Sequence, residues 1–239
     1  MHVVDFDCAN PENFDLAKSA DGVFLLGPPM VPDLFNLLTP FADYLNAQGS
    51  KRVVYLSAYG MEAMPELPFH QQMEDKLKAS KLDWRVVRPG FFMQSFENYE
   101  FENIVDRGVT FVPAGDGHTP FVSAKDVGAS IAALLRDEKR SHETHILTGP
   151  EALTYSDAAK VLSDVLTKQV VYPQPDDATY RQVLADAGAP TMIADYMISV
   201  YGLIKRGIVA EKTNNVEQLT GRKSENLRTV LSRDYGRVN

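Results

Sequence analysis

Few side chains in this chain combine the type and spacing that proton transfer needs. His70 and Glu74 are four residues apart, which places both on one face of a helix. An imidazole titrates near neutral pH, so His70 can pass a proton and Glu74 can orient it. A solvated histidine at a helix start is the alternative reading. Tyr59 lies two residues past Ser57 at the end of an apolar run, where a hydroxyl can face a substrate. No Tyr-x-x-x-Lys pair starts there, because position 63 is Ala63. His118 falls in a turn, and it reads either as a cleft residue or as a solvated one. His142 and His145 flank a charged loop and read as solvated. The single Cys8 forms no intrachain disulfide and reads as a small packing residue. No His, Cys, Asp and Glu cluster has metal-ligand spacing, so no metal site is expected.

The elements that must position these residues follow from apolar periodicity. Gly22–Leu26, Arg52–Leu56 and Trp84–Arg88 are short apolar runs, each closed by a breaker or polar turn. Runs without alternation point to strands buried on both faces. Between them, 33–48 and 69–80 carry helical apolar stripes. Strand, helix, strand, helix, strand at this spacing predicts parallel βαβ units. Further strands are expected at Val3–Phe6, Val109–Val112, 144–148 and Val170–Tyr172. Ser123 and Asp126 fit a capping box for a helix over 124–135. From about residue 150 the pattern turns helical, over 157–166, 177–187, 191–205 and 224–235. The expected fold is α/β: a truncated Rossmann-like parallel sheet over 1–150 and a helix-rich C-terminal cap over 151–239, the two forming one compact unit.

Ligands of such sheets bind beyond the carboxyl ends of the strands. Those ends carry Pro29 and Met30, Ser57, the trio Phe91, Phe92 and Met93, and the stretch holding His118 and Phe121. Lined by them, with Tyr196 from the cap, the cleft would be apolar and aromatic and suit a small hydrophobic organic substrate. Phe91–Met93 also read as core under the cap, and Tyr196 and Tyr201 as packing residues with one polar end.

Composition narrows the function classes. The chain has 239 residues, 44% hydrophobic and 23% charged, which suits a folded globular protein. The formal net charge of −8 argues against a nucleic-acid partner, since phosphate contacts need clustered Lys and Arg. No apolar run reaches about 18 residues, so no membrane span is expected, and the expected location is cytoplasmic.

Several segments together resemble a known family. They are Gly22–Pro29, Val53–Ser57, His70-x-x-x-Glu74, Ser80–Phe96, Phe121–Gly128, Leu147–Pro150 and Leu219–Arg222. The chain resembles the NmrA-like branch of the atypical short-chain dehydrogenases/reductases, including fungal enzymes of the festuclavine synthase type. The resemblance covers nearly the whole chain, and 84–96 is its most specific stretch. It implies a Rossmann sheet, NADP(H) binding and reduction of a small metabolite; some relatives only sense the nucleotide. It also places His70 near a catalytic lysine of the reductases, and 27–29, Ser57 and 91–93 along their cofactor cleft.

The departure from the family is an absent glycine-rich nucleotide-binding segment. The chain begins at what looks like the family's third strand, and no G-x-G-x-x-G occurs. Without the pyrophosphate cradle, the expected function is a cofactor-independent, non-redox isomerase or cyclase of a hydrophobic secondary metabolite. His70, Tyr59 and Glu74 would carry it. The alternatives are an NADP(H)-dependent reductase and a non-catalytic binding or regulatory module. The Val23 strand should then lie at an open sheet edge, covered by Val3–Phe6 or by a second subunit in a homodimer.

Overall fold

The computed structural model describes residues 3–28, 31, 33–49 and 51–236. The Pro29 and Met30 expected in the cleft lie outside these. The described residues fall into two units, Met1–Arg88 with Ser130–His145, and Pro89–Ala129 with Ile146–Asn239.

The first unit carries β1 (Gly22–Leu25), α1 (Leu34–Ala47), β2 (Arg52–Leu56), α2 (Phe69–Lys78) and most of β3 (Asp83–Pro89). β1 pairs with β2 and β2 with β3, both in parallel, with Val23 opposite Val53 and Tyr55 opposite Val86. With β4 (Glu143–Leu147) the sheet runs β1-β2-β3-β4, an α/β Rossmann-like arrangement. Val53, Val54, Tyr55, Val86 and Val87 are fully buried, as their unbroken apolar runs require. α1 turns Leu34, Leu38, Phe41, Ala42 and Leu45 inward, and α2 turns in Phe69, Met73, Glu74 and Leu77. Among the described residues β1 ends the sheet, with Phe24 38% and Leu26 53% exposed.

Val3–Phe6 is not the strand expected beside Val23. Its Phe6 ring instead packs edge-on to Phe41 at 4.7 Å and beside Phe14, which belongs to a 3-10 helix at Pro11–Ala17. The half-buried Phe6 ring gains its apolar contacts from Phe14 and Phe41.

The second unit holds α3 (Ser95–Val105), the start of α4 (Ala124–Arg136), α5 (Tyr155–Leu166), α6 (Asp177–Asp186), α7 (Thr191–Lys205), α8 (Asn215–Thr220) and α9 (Leu227–Asp234). The strands expected at 109–112 and 170–172 shrink to one bridge between Val109 and Val171. At the start of α4 the Ser123 hydroxyl donates to Glu225 and accepts from the Lys125 amide, and Asp126 accepts the Glu225 amide. A capping box forms at α5, where Thr154 and Asp157 cap each other. Among the described residues no helix is long and apolar enough to cross a membrane, and no group of acidic, His and Cys side chains could hold a metal ion.

Candidate functional site

In the first unit the end of β2, the start of α2 and the end of β3 bring one polar cluster together. Glu74 is 1% exposed, and Ser57, Arg88 and Lys78 all donate to its carboxylate. Ser57 Oγ donates to Oε1 at 2.7 Å and Arg88 Nε to the same oxygen at 2.8 Å. Arg88 Nη2 donates to Oε2 at 2.7 Å and Lys78 Nζ at 3.1 Å. Arg88 also reaches Glu62 at 3.3 Å. Burial alone would raise the Glu74 pKa, but the bonds from Arg88 and Ser57 outweigh it and hold the group below its usual range. Glu74 is therefore an anion that ties α2 to β2 and β3. It makes no hydrogen bond to His70, contrary to the expectation that it orients that ring.

His70 is oriented from β2. The hydroxyl of the fully buried Tyr55 lies 2.7 Å from His70 Nδ1, and Phe69 flanks the ring with centroids 4.8 Å apart. Burial lowers the His70 pKa to about 4, with the Glu74 charge pulling the other way. The ring is therefore neutral at pH 7. Among the described residues Nε2 makes no hydrogen bond, and the side chain is partly exposed. The cluster can thus present a neutral imidazole edge, held from behind, to a polar atom of a ligand. Tyr59 is buried nearby in sequence, after Ser57.

The other expected site residues lie in the second unit. Met93 and Phe121 are core: each is 1% exposed, and Phe121 packs against Phe96 and Tyr155. Phe91 and Phe92 are only half-buried, and Phe91 stacks on Tyr201 at 5.7 Å. Tyr201 meets Tyr180, which stacks on the half-buried Phe111. Tyr196 is half-buried, and burial raises its pKa. His118 is exposed. Beneath these rings Glu100 is buried, accepting from Thr110 Oγ1 at 2.6 Å and the Phe111 amide at 2.9 Å; burial raises its pKa.

Sequence reasoning passed over Tyr55 and Arg88. Both sit in runs read only as strands. A charged residue at the end of a strand buried on both faces needs a buried partner, and that signal was present at Arg88.

The NmrA-like family model matches residues 15–232. The chain belongs to the NmrA-like family. It is 26% identical over 217 residues to the prestalk A differentiation protein A of Dictyostelium discoideum, covering 90% of this chain and 71% of that protein. It is 27% identical over 207 residues to the NAD(P)H azoreductase of Xenophilus azovorans, covering 84% and 71%. Among solved structures, the NADPH-dependent quinone oxidoreductase of Escherichia coli, complexed with NADPH, superposes with a TM-score of 0.86 at 20% identity, over 95% of this chain and 81% of that one.

These findings correct two expectations. A cofactor-independent isomerase or cyclase is overturned by relatives named as NAD(P)H-dependent oxidoreductases, and so is the absence of a nicotinamide cofactor. The missing glycine motif is poor evidence about reaction class, because substrate residues and phosphate cradle occupy different segments of such folds. The described residues themselves do not supply that cradle. Gly27, which follows β1, is no open backbone for phosphate: a Cβ there would lie 2.1 Å from the Leu34 side chain, so the glycine admits α1.

Proposed function

We propose that this chain is an NAD(P)H-dependent oxidoreductase that reduces a small, apolar, aromatic organic substrate, of the kind made or modified in secondary metabolism. The observation that carries this reading is the family match across 15–232, joined to the likeness to an NAD(P)H azoreductase over most of the chain. The residues present support the substrate class. Phe91 and Phe92 leave ring surface available in the second unit, and His70 supplies a neutral polar edge in the first. Within the first unit, with Ser57 and Glu74 absorbed in the Arg88 network, the polar contribution to a ligand falls to His70, with Tyr59 beside Ser57 in sequence. Within the second unit, Phe91, Phe92, Tyr196 and His118 are proposed ligand contacts, whereas Met93 and Phe121 are core.

The test is NADPH oxidation at 340 nm with a naphthoquinone and with an azo dye as separate acceptors, beside NADPH titration by fluorescence. Acceptor-dependent oxidation that falls at least tenfold in His70→Phe supports the reading. No oxidation with either acceptor and no NADPH binding at millimolar concentration would refute it.

The reading includes a homodimer. β1 ends the sheet among the described residues with Phe24 and Leu26 exposed, and an open apolar edge favours strand pairing. Light scattering on the wild type and on Phe24→Lys tests this; a monomeric wild type counts against it.

A further inference from the structure

We infer that Tyr55 is a positioning residue that sets the tautomer of His70, so that the ring meets its ligand as a neutral Nε2–H donor. The inference rests on the reading of His70 as a substrate-facing residue.

It starts from a count of donors and acceptors. The Tyr55 hydroxyl and His70 Nδ1 are 2.7 Å apart, so one of them donates to the other. Suppose Nδ1 carried the proton and donated. The phenol proton would then need another acceptor, and among the described residues Tyr55 has no other side-chain hydrogen bond. A buried hydroxyl left without an acceptor is costly. If instead the phenol donates, its proton is used, the Nδ1 lone pair is used, and both groups are satisfied. A phenol is also the better donor and imidazole nitrogen the better acceptor. The remaining ring proton must then sit on Nε2, the nitrogen without a partner among the described residues.

The surroundings keep both members neutral. The charged groups near the ring are Glu74 from α2, with Arg88 from β3 and Lys78 from α2 fastened to it. Among the described residues Glu74 is the anion that acts on His70, and those cations offset its pull on a second proton. Burial lowers the imidazole pKa and raises that of the phenol, so the pair does not ionise near neutrality. His70 is therefore a fixed hydrogen-bond donor to a carbonyl, azo or imine nitrogen or quinone oxygen. It differs from a general acid that must first be charged.

The experiment uses the full chain labelled with 15N in its histidine rings. Long-range 1H–15N correlation at pH 7 reports which nitrogen carries the proton, and the signals missing from His70→Gln assign the ring. The expected spectrum shows Nε2 protonated and Nδ1 bare. A protonated Nδ1 would overturn the inference without any mutation. Tyr55→Phe, with its fold checked by circular dichroism, should move the Nδ1 shift and populate both tautomers. With NADPH and a naphthoquinone its kcat should fall about tenfold while KM stays within about twofold, as for one lost hydrogen bond. His70→Gln, whose amide N–H falls near the Nε2 position, should retain more activity than His70→Asn. Ring shifts unchanged in Tyr55→Phe would also overturn the inference. If Nε2 is protonated yet every His70 variant turns over like the wild type, the tautomer assignment stands and the substrate-facing reading of His70 fails.

Discussion

Glu74 and Arg88 form the most exposed test of the cluster's energetics. Replacing Glu74 by Gln keeps the side chain's shape and removes its charge. Two bonds from Arg88, one from Ser57 and one from Lys78 then meet a neutral amide whose NH2 end cannot accept. Arg88 is 15% exposed at its side chain, so its charge is left mostly buried and poorly paired. Removing one partner of a buried pair costs about 3–5 kcal/mol, and the residual exposure of Arg88 and Lys78 puts this case near about 3. For a chain of this size that lowers Tm by roughly 6–12 °C. Thermal and urea unfolding of Glu74→Gln, Arg88→Met and the double variant measure it. The double variant should be less damaged than the sum of the two by about 1–3 kcal/mol, because the orphaned charge leaves with its partner. A Tm change under about 2 °C for Glu74→Gln, or strictly additive losses, would show that the carboxylate is not the tie between α2, β2 and β3.

Three more outcomes follow from particular contacts. The folded-state His70 pKa is lowered to about 4, below its ordinary 6.5, so the unfolded chain binds more protons between those values and stability is lost as pH drops through that window. Urea unfolding should lose about 2 kcal/mol at most from pH 7 to pH 5 on this account, and His70→Gln should flatten the slope. In Gly149→Ala the new Cβ would lie 1.9 Å from the Phe121 carbonyl oxygen, a backbone atom that cannot swing away. Its Tm should fall by at least as much as that of Glu74→Gln, and an unchanged Tm would contradict the packing there. Thr154→Ala removes the α5 capping box and should cost about 1 kcal/mol in urea unfolding.

The elements visible in the sequence were those whose apolar pattern is unbroken. β1, β2, β3, α1 and α2 lie within a residue or two of their expected bounds, because full burial of a strand and one-sided burial of a helix leave periodicities that need no tertiary knowledge. α3 was hidden. Its inward positions Phe96, Glu100 and Ile104 have helical spacing, but an acid in the middle of the stripe breaks the apolar signal. Only the fold brings Thr110 and the Phe111 amide to that acid and makes its burial tolerable. Val109–Val112 has strand propensity, yet propensity yields to context, and among the described residues its one bridge is Val109 to Val171.

For the site, residue types and local spacing were enough to single out His70 and Glu74 and to place both on one helix face. That spacing could not say which group each one meets. Glu74 and His70 share a helix, but partners from other strands are closer: Arg88 and Ser57 take the carboxylate and Tyr55 takes the imidazole. The sequence alone settled the family resemblance and the parallel α/β sheet, and it singled out His70 and Glu74. The tertiary structure alone decided which are charged and which neutral, because a pKa depends on burial and on neighbours brought in from distant segments, and neither is written in local sequence.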